Sequence, residues 1–191
     1  MTAGIGHNGG PTMEGGYRWR KHVWTKARAE LIPNTVPLEI VRRRVKRAAE
    51  LGIDYRTYAS IRAASGHDVV AFLFSGNALE LRPRRVAVPE RVSARLQALD
   101  GAAGRLAAVY APAHPSAVAQ ANPGLLDEIA AAPAFTESWS AMRERLSGLL
   151  AAGGAKRDGV VLVSATSVEQ EWCGAARLAG VIPAERFFAV G

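Results

Sequence analysis

Arg42, Arg43, Lys46 and Arg47 are four of the five cations in residues 42–47. Guanidinium and ammonium groups make charge-assisted hydrogen bonds to phosphate oxygens, and several together neutralise a polyanion backbone. Arg56, Thr57, Ser60 and Arg62 follow shortly after. Arginine and small hydroxyl side chains are the residue types that reach base edges from a helix in the major groove. Upstream, Tyr17, Trp19 and Trp24 lie among Arg20 and Lys21. Aromatic rings beside cations suit sequence-tolerant stacking on bases. A second set of polar residues closes apolar runs: Ser75-Gly76-Asn77 after one, and Ser164, Thr166 and Ser167 after another. Hydroxyls, an amide and the free N–H groups of a helix start suit a small anion. Thr166 as a plain helix cap is the alternative.

Other chemistry finds little support. His7, His22, His67 and His114 have no metal-ligand spacing between them. One cysteine, Cys173, excludes an internal disulfide framework and any multi-cysteine zinc site. Beside Trp172 it reads as a small packed residue. Glu169 and Glu171 are two apart, a spacing that points them away from each other on a helix, so no carboxylate pair for acid–base work is expected. Gly4-Ile5-Gly6-His7-Asn8-Gly9 spells G-x-G-x-x-G. It starts at residue 4 and meets Pro11, with no strand before it and no helix after it to cradle a pyrophosphate. No catalytic residue, metal or cofactor is expected.

The charge is localised. The 191 residues carry a net charge of +7. Residues 1–67 hold 12 Lys+Arg against 5 Asp+Glu, and residues 68–191 hold 12 against 12. Such asymmetry points to a polyanion, with nucleic acid first and an acidic protein surface second. A solvated basic face or a membrane surface stays open, as does a homodimer. No run approaches the ~20 apolar residues of a membrane helix. The Ala-, Arg- and Gly-rich composition reads as bacterial, and a cytoplasmic location is expected.

These groups need elements to hold them. Residues 1–16 are Gly-rich and read as a disordered arm. Trp19, Val23, Ala27 and Leu31 give residues 17–31 a helical stripe. Leu38, Val41, Val45, Ala48 and Leu51 do the same for residues 37–51, with Gly52 ending that helix. Asp54 is placed to cap a third helix over 55–65. From Asp68 the pattern becomes that of buried strands, at 69–74, 105–110, 160–163 and 186–190. Helices are expected at 89–99, 124–131, 135–151 and 167–178, with a helical turn near 116–120. Thr166 and Glu169 are spaced as a capping box, and Gly180 reads as a C-cap. The expected fold is α/β: a three-layer, mostly parallel sheet flanked by helices, preceded by a basic all-helical segment and the arm. The expected organisation is 1–16, 17–67 and 68–191.

Residues 44–63, with Ala48, Gly52, Tyr58 and Ile61 at the packing positions, resemble a helix-turn-helix. That resemblance implies DNA contact through Arg56, Thr57, Ser60 and Arg62; a corner that only packs has the same glycine and caps. AFLFSGNAL (71–79), RLAAVYAP (105–112) and VLVSATSVEQEWCGAARLAGV (161–181) resemble in order three motifs of the haloacid dehalogenase-like fold. The resemblance puts Leu73, Ser75 and Ala165 where that family has carboxylates, and Lys156 near its lysine. A phosphoaspartyl step needs those carboxylates as nucleophile and Mg²⁺ ligands. The resemblance thus implies at most a degenerate enzyme that binds a phosphorylated ligand. GIGHNGG is similar to the N-termini of assorted alphaproteobacterial and phage proteins and implies no activity. The leading expectation is a non-enzymatic nucleic-acid-associated or regulatory protein, with a structural subunit docking an acidic partner as a further alternative.

Overall fold

Val69–Phe74 has no polar residue, and a strand of that composition is stable only when covered on both faces. The computed structural model, which describes residues 36–189, covers it so. The expected arm and the helix over 17–31 lie outside the described residues. The elements in chain order are α1 (Leu38–Glu50), α2 (Tyr55–Ser65), β1 (Ala71–Ser75), α3 (Glu90–Gln97), β2 (Gly104–Val109), α4 (Pro115–Ala121), β3 (Glu128–Ala131), α5 (Trp139–Ala152), β4 (Val160–Ser164), α6 (Ser167–Ala176), β5 (Gly180–Pro183) and α7 (Ala184–Ala189). The five strands form one parallel sheet in the order β3-β2-β1-β4-β5. The α/β class, with helices flanking a parallel sheet, is as expected.

Alternation along the strands splits the core in two. Phe72, Phe74, Val161 and Val163 face a layer that holds Leu96, Val92 and Phe187. Leu73, Leu106 and Leu162 face the other layer, with Met142, Leu146, Leu150 and Trp172. Phe187 sits 5.0 Å from Phe72 and 5.4 Å from Phe74, ring centre to ring centre. Ala48, Leu51, Ile53, Tyr58 and Ile61 belong to the same core as Phe72 and Phe74. Residues 43–189 form one compact unit. At the α1–α2 corner Gly52 has φ +60°, and an added Cβ would collide with the Arg95 guanidinium. The positive φ is what favours glycine here.

Five expectations are corrected. Leu38 and Val45 are exposed. The inward side of α1 carries Arg47 and Ala48, with Leu51 just after the helix, because Arg47 is drawn in by backbone carbonyls. Residues 128–131 form a strand where a helix over 124–131 was expected. Asp127 fixes it: its N–H donates to the Arg105 carbonyl, and its carboxylate accepts from Arg105 Nη2 at 2.7 Å. That pair lays Asp127–Ala131 along β2. Helix α5 starts at Trp139, where Ser138 caps it, and not at residue 135. At the C-terminus the last strand is Gly180–Pro183, in register with Val161–Ser164. Residues 184–189 are helical, with Phe187 inward. Arg177, at φ 55°, closes α6 in place of Gly180.

Candidate functional site

The chain runs from β1 outward to β2 and β3, then returns to lay β4 and β5 on the other side. Order reversal between β1 and β4 opens a crevice at the carboxyl ends of these strands, where parallel sheets take ligands. β1 ends in a tight turn. Ser75 Oγ accepts from Ala78 N at 3.0 Å, and Gly76 N donates to the Ala108 carbonyl at 2.8 Å. The turn brings Asn77 to the mouth of the crevice. β4 ends at Ser164, and two residues later comes Thr166, the cap of α6. Thr166 Oγ1 accepts from Glu169 N at 3.3 Å, and the Glu169 carboxylate folds back on the backbone of Ala165 and Thr166. The capping box is therefore present.

Glu169 is fully buried. Its Oε2 accepts from Ala165 N at 2.8 Å and Thr166 N at 3.1 Å, and its Oε1 accepts from Asn77 Nδ2 at 2.9 Å. A buried carboxylate persists only with such donors. Tyr110, at the end of β2, is the third strand-end group here. Burial first, and then the Glu169 charge beside it, push its hydroxyl well above the usual tyrosine range. Asn77 and Glu169 thus tie the end of β1 to the junction of β4 and α6, with Tyr110 beside them.

On the β4–β5 side of this tie lies a cleft of about 380 Å³. Asn77, Ser164, Thr166 and Ser167 line it, four of the six residues expected there from the sequence. Gly76 instead borders a neighbouring cavity of about 140 Å³ with Asn77 and Tyr110, and Ser75 is enclosed with its hydroxyl engaged. Ser164 is 2% exposed, and its Oγ has no hydrogen-bond partner. Gln170, Glu185, Phe188 and an Arg91–Glu80 ion pair also line the cleft. Sequence reasoning missed all five, and missed Glu169 as a site group. The Thr166–Glu169 spacing carried that last signal, since a capping-box glutamate at a strand–helix junction delivers its carboxylate to the strand ends.

Nothing here supplies a phosphoaspartyl step. Leu73 is wholly in the core, Ser75 holds the turn, and Ala165 offers only its N–H to Glu169. Among the described residues, no group of three or more His, Cys, Asp or Glu is placed to hold a metal ion. Cys173 is half-buried, and burial pushes its thiol up. His114 caps α4 by accepting from Ser116 N.

The basic residues divide by what their side chains touch. Arg42, Arg43, Lys46, Arg56 and Ser60 are exposed. Arg47 is not free: its Nη2 donates to the carbonyls of Val69 and Ala102, each at 3.0 Å, and its Nε lies 3.3 Å from Asp68. Arg62 turns to Asp68 at 3.7 Å and to the Tyr58 hydroxyl. Thr57 serves the start of α2, where its N–H and hydroxyl donate to Asp54 at 2.9 and 2.6 Å. Arg56, Thr57 and Ser60 border one shallow depression together with Arg186, which the sequence reading left out. Among the described residues no helix is long and apolar enough to cross a membrane. Compared with protein-family models, with curated proteins and with solved structures, the chain matches none.

Proposed function

We propose that this is a non-enzymatic, nucleic-acid-associated protein that meets a polyanion through its basic segment. The observation that carries the reading is the charge: all of the net +7 lies in residues 1–67. The exposure of Arg42, Arg43 and Lys46 on α1, and of Arg56 and Ser60 on α2, supports it. Exposed cations of this kind position a protein on a phosphate backbone without reading sequence. The helix-turn-helix reading adds Arg56 and Ser60 as groups for base edges. Arg47 and Arg62 take no part in contact, because their guanidiniums serve the fold.

Titration of a labelled DNA duplex and of a single-stranded RNA against the full chain, at several salt concentrations, tests this. The affinity is expected to fall steeply with salt. Arg42→Ala, Arg43→Ala and Lys46→Ala combined should lower the log–log slope on duplex DNA by roughly 0.9 for each phosphate that the variant leaves unneutralised. Absence of binding to either probe at low salt would sink the proposal.

A further inference from the structure

We infer that the cleft between the ends of β1 and β4 and the start of α6 binds a small, neutral, hydroxyl-rich molecule, a monosaccharide or cyclic polyol. Its occupant is independent of the polyanion contact. At about 380 Å³ the cleft falls at the small end of the roughly 300–1,000 Å³ that ligand sites enclose. It also holds an unmet demand. Ser164 Oγ is buried in the lining with no partner, a state that native proteins rarely leave unexplained. A ligand hydroxyl supplies the missing partner.

Charge decides between a sugar and a phosphate. A helix start ordinarily draws an anion, but α6 already has one. Glu169 occupies the N–H groups of Ala165 and Thr166. The cleft itself holds two carboxylates, Glu80 and Glu185, against the single guanidinium of Arg91, which is paired with Glu80. A phosphate dianion placed here meets net negative charge on the walls and Glu169 behind them. A neutral diol meets the opposite situation. Its hydroxyls donate to the acceptor-only Glu185 carboxylate and accept from the Gln170 and Asn77 amides. Thr166 and Ser167 can do either. Half-buried Phe188 gives a ring surface for the C–H face of a pyranose.

Ligand-observed saturation-transfer NMR on the full chain tests the assignment. The neutral probes are the common aldohexoses, aldopentoses, ketohexoses and inositol; glucose 6-phosphate and inorganic phosphate are the charged probes. At least one neutral probe is expected to bind more tightly than either charged one. Gln170→Ala, at an exposed position, should weaken that probe about tenfold with the thermal melt unchanged. Ser164→Ala should weaken it as well. Tighter binding of glucose 6-phosphate or phosphate, suppressed by the same variants, would make the cleft an anion site and overturn the inference. So would binding that neither variant alters, or no binding by any probe. None of these outcomes bears on the salt-dependent nucleic-acid titration, so the two ideas fail separately.

Discussion

Asp54 shows how much one side chain settles at the residue scale. It caps α2 with Thr57 N and Thr57 Oγ1 and pairs with Arg186 at 2.9 Å. Hydrogen bonds from the Thr57 side chain and then its backbone N–H, with Arg186 nearby, hold the carboxyl at about 2. A pKa depressed in the folded state gives stability that is fully present above the unfolded value, near 3.9. That contribution fades as pH falls toward 2. Asp54→Ala is expected to cost about 1 kcal/mol at neutral pH, the usual worth of such a cap. Melts of the two proteins should converge as pH approaches 2. A gap that stays constant with pH would assign the loss to packing. This cap was legible in the sequence, because a cap needs one residue type at one position. The role of Glu169 was legible only as far as the Thr166–Glu169 spacing of a capping box. Its bond to Asn77, 92 residues away, has no local pattern that encodes it.

Arg47 belongs to the scale of elements, because it sets how α1 is turned. The spacing of Leu38, Val41, Val45, Ala48 and Leu51 suggests one apolar stripe, yet Leu38 and Val45 are exposed. Carbonyls of Val69 and Ala102, each just before a strand, need donors that their own ladders do not provide, and Arg47 provides them. Removing a donor from buried carbonyls costs about 1–3 kcal/mol. Arg47→Ala is therefore expected to lower the melting temperature and leave the salt slope of nucleic-acid binding unchanged. Arg43→Ala should do the reverse. Measuring both properties on both variants separates fold from contact. The same limit governed the other elements. Central strands β1, β2 and β4 announce themselves by apolar runs, with Arg105 at the start of β2 as the exception, since both of their faces are covered. Border strands β3 and β5 have four residues each and mixed burial, so their sequences look like helix or loop. Phe187-Phe188 looked like a strand for the same reason: an apolar pair without its partners fits either period.

For the whole molecule, one helical turn at the C-terminus is decisive. Phe187 contacts Phe72, Phe74 and Phe188, and the Arg95 guanidinium lies 4.9 Å from its ring centre. Arg95 in turn reaches the Gly52 carbonyl at the α1–α2 corner. The last helix, the central strands and the basic corner therefore share one set of contacts. Phe187→Ala is expected to cost about 3–5 kcal/mol, within the range for deleting a buried aromatic side chain. Denaturant unfolding monitored by tryptophan fluorescence and by circular dichroism should give one coincident transition, lowered in the variant. A variant as stable as the parent would show that α7 is dispensable. The sheet has a further consequence at its borders. Among the described residues it is open, with β3 and β5 at its borders, and unpaired border ladders are the usual templates for strand-by-strand aggregation. Here each ladder is four residues long, and β5 ends in Pro183, which has no N–H to donate. Among the described residues, an incoming strand therefore finds a track of only four residues on either side.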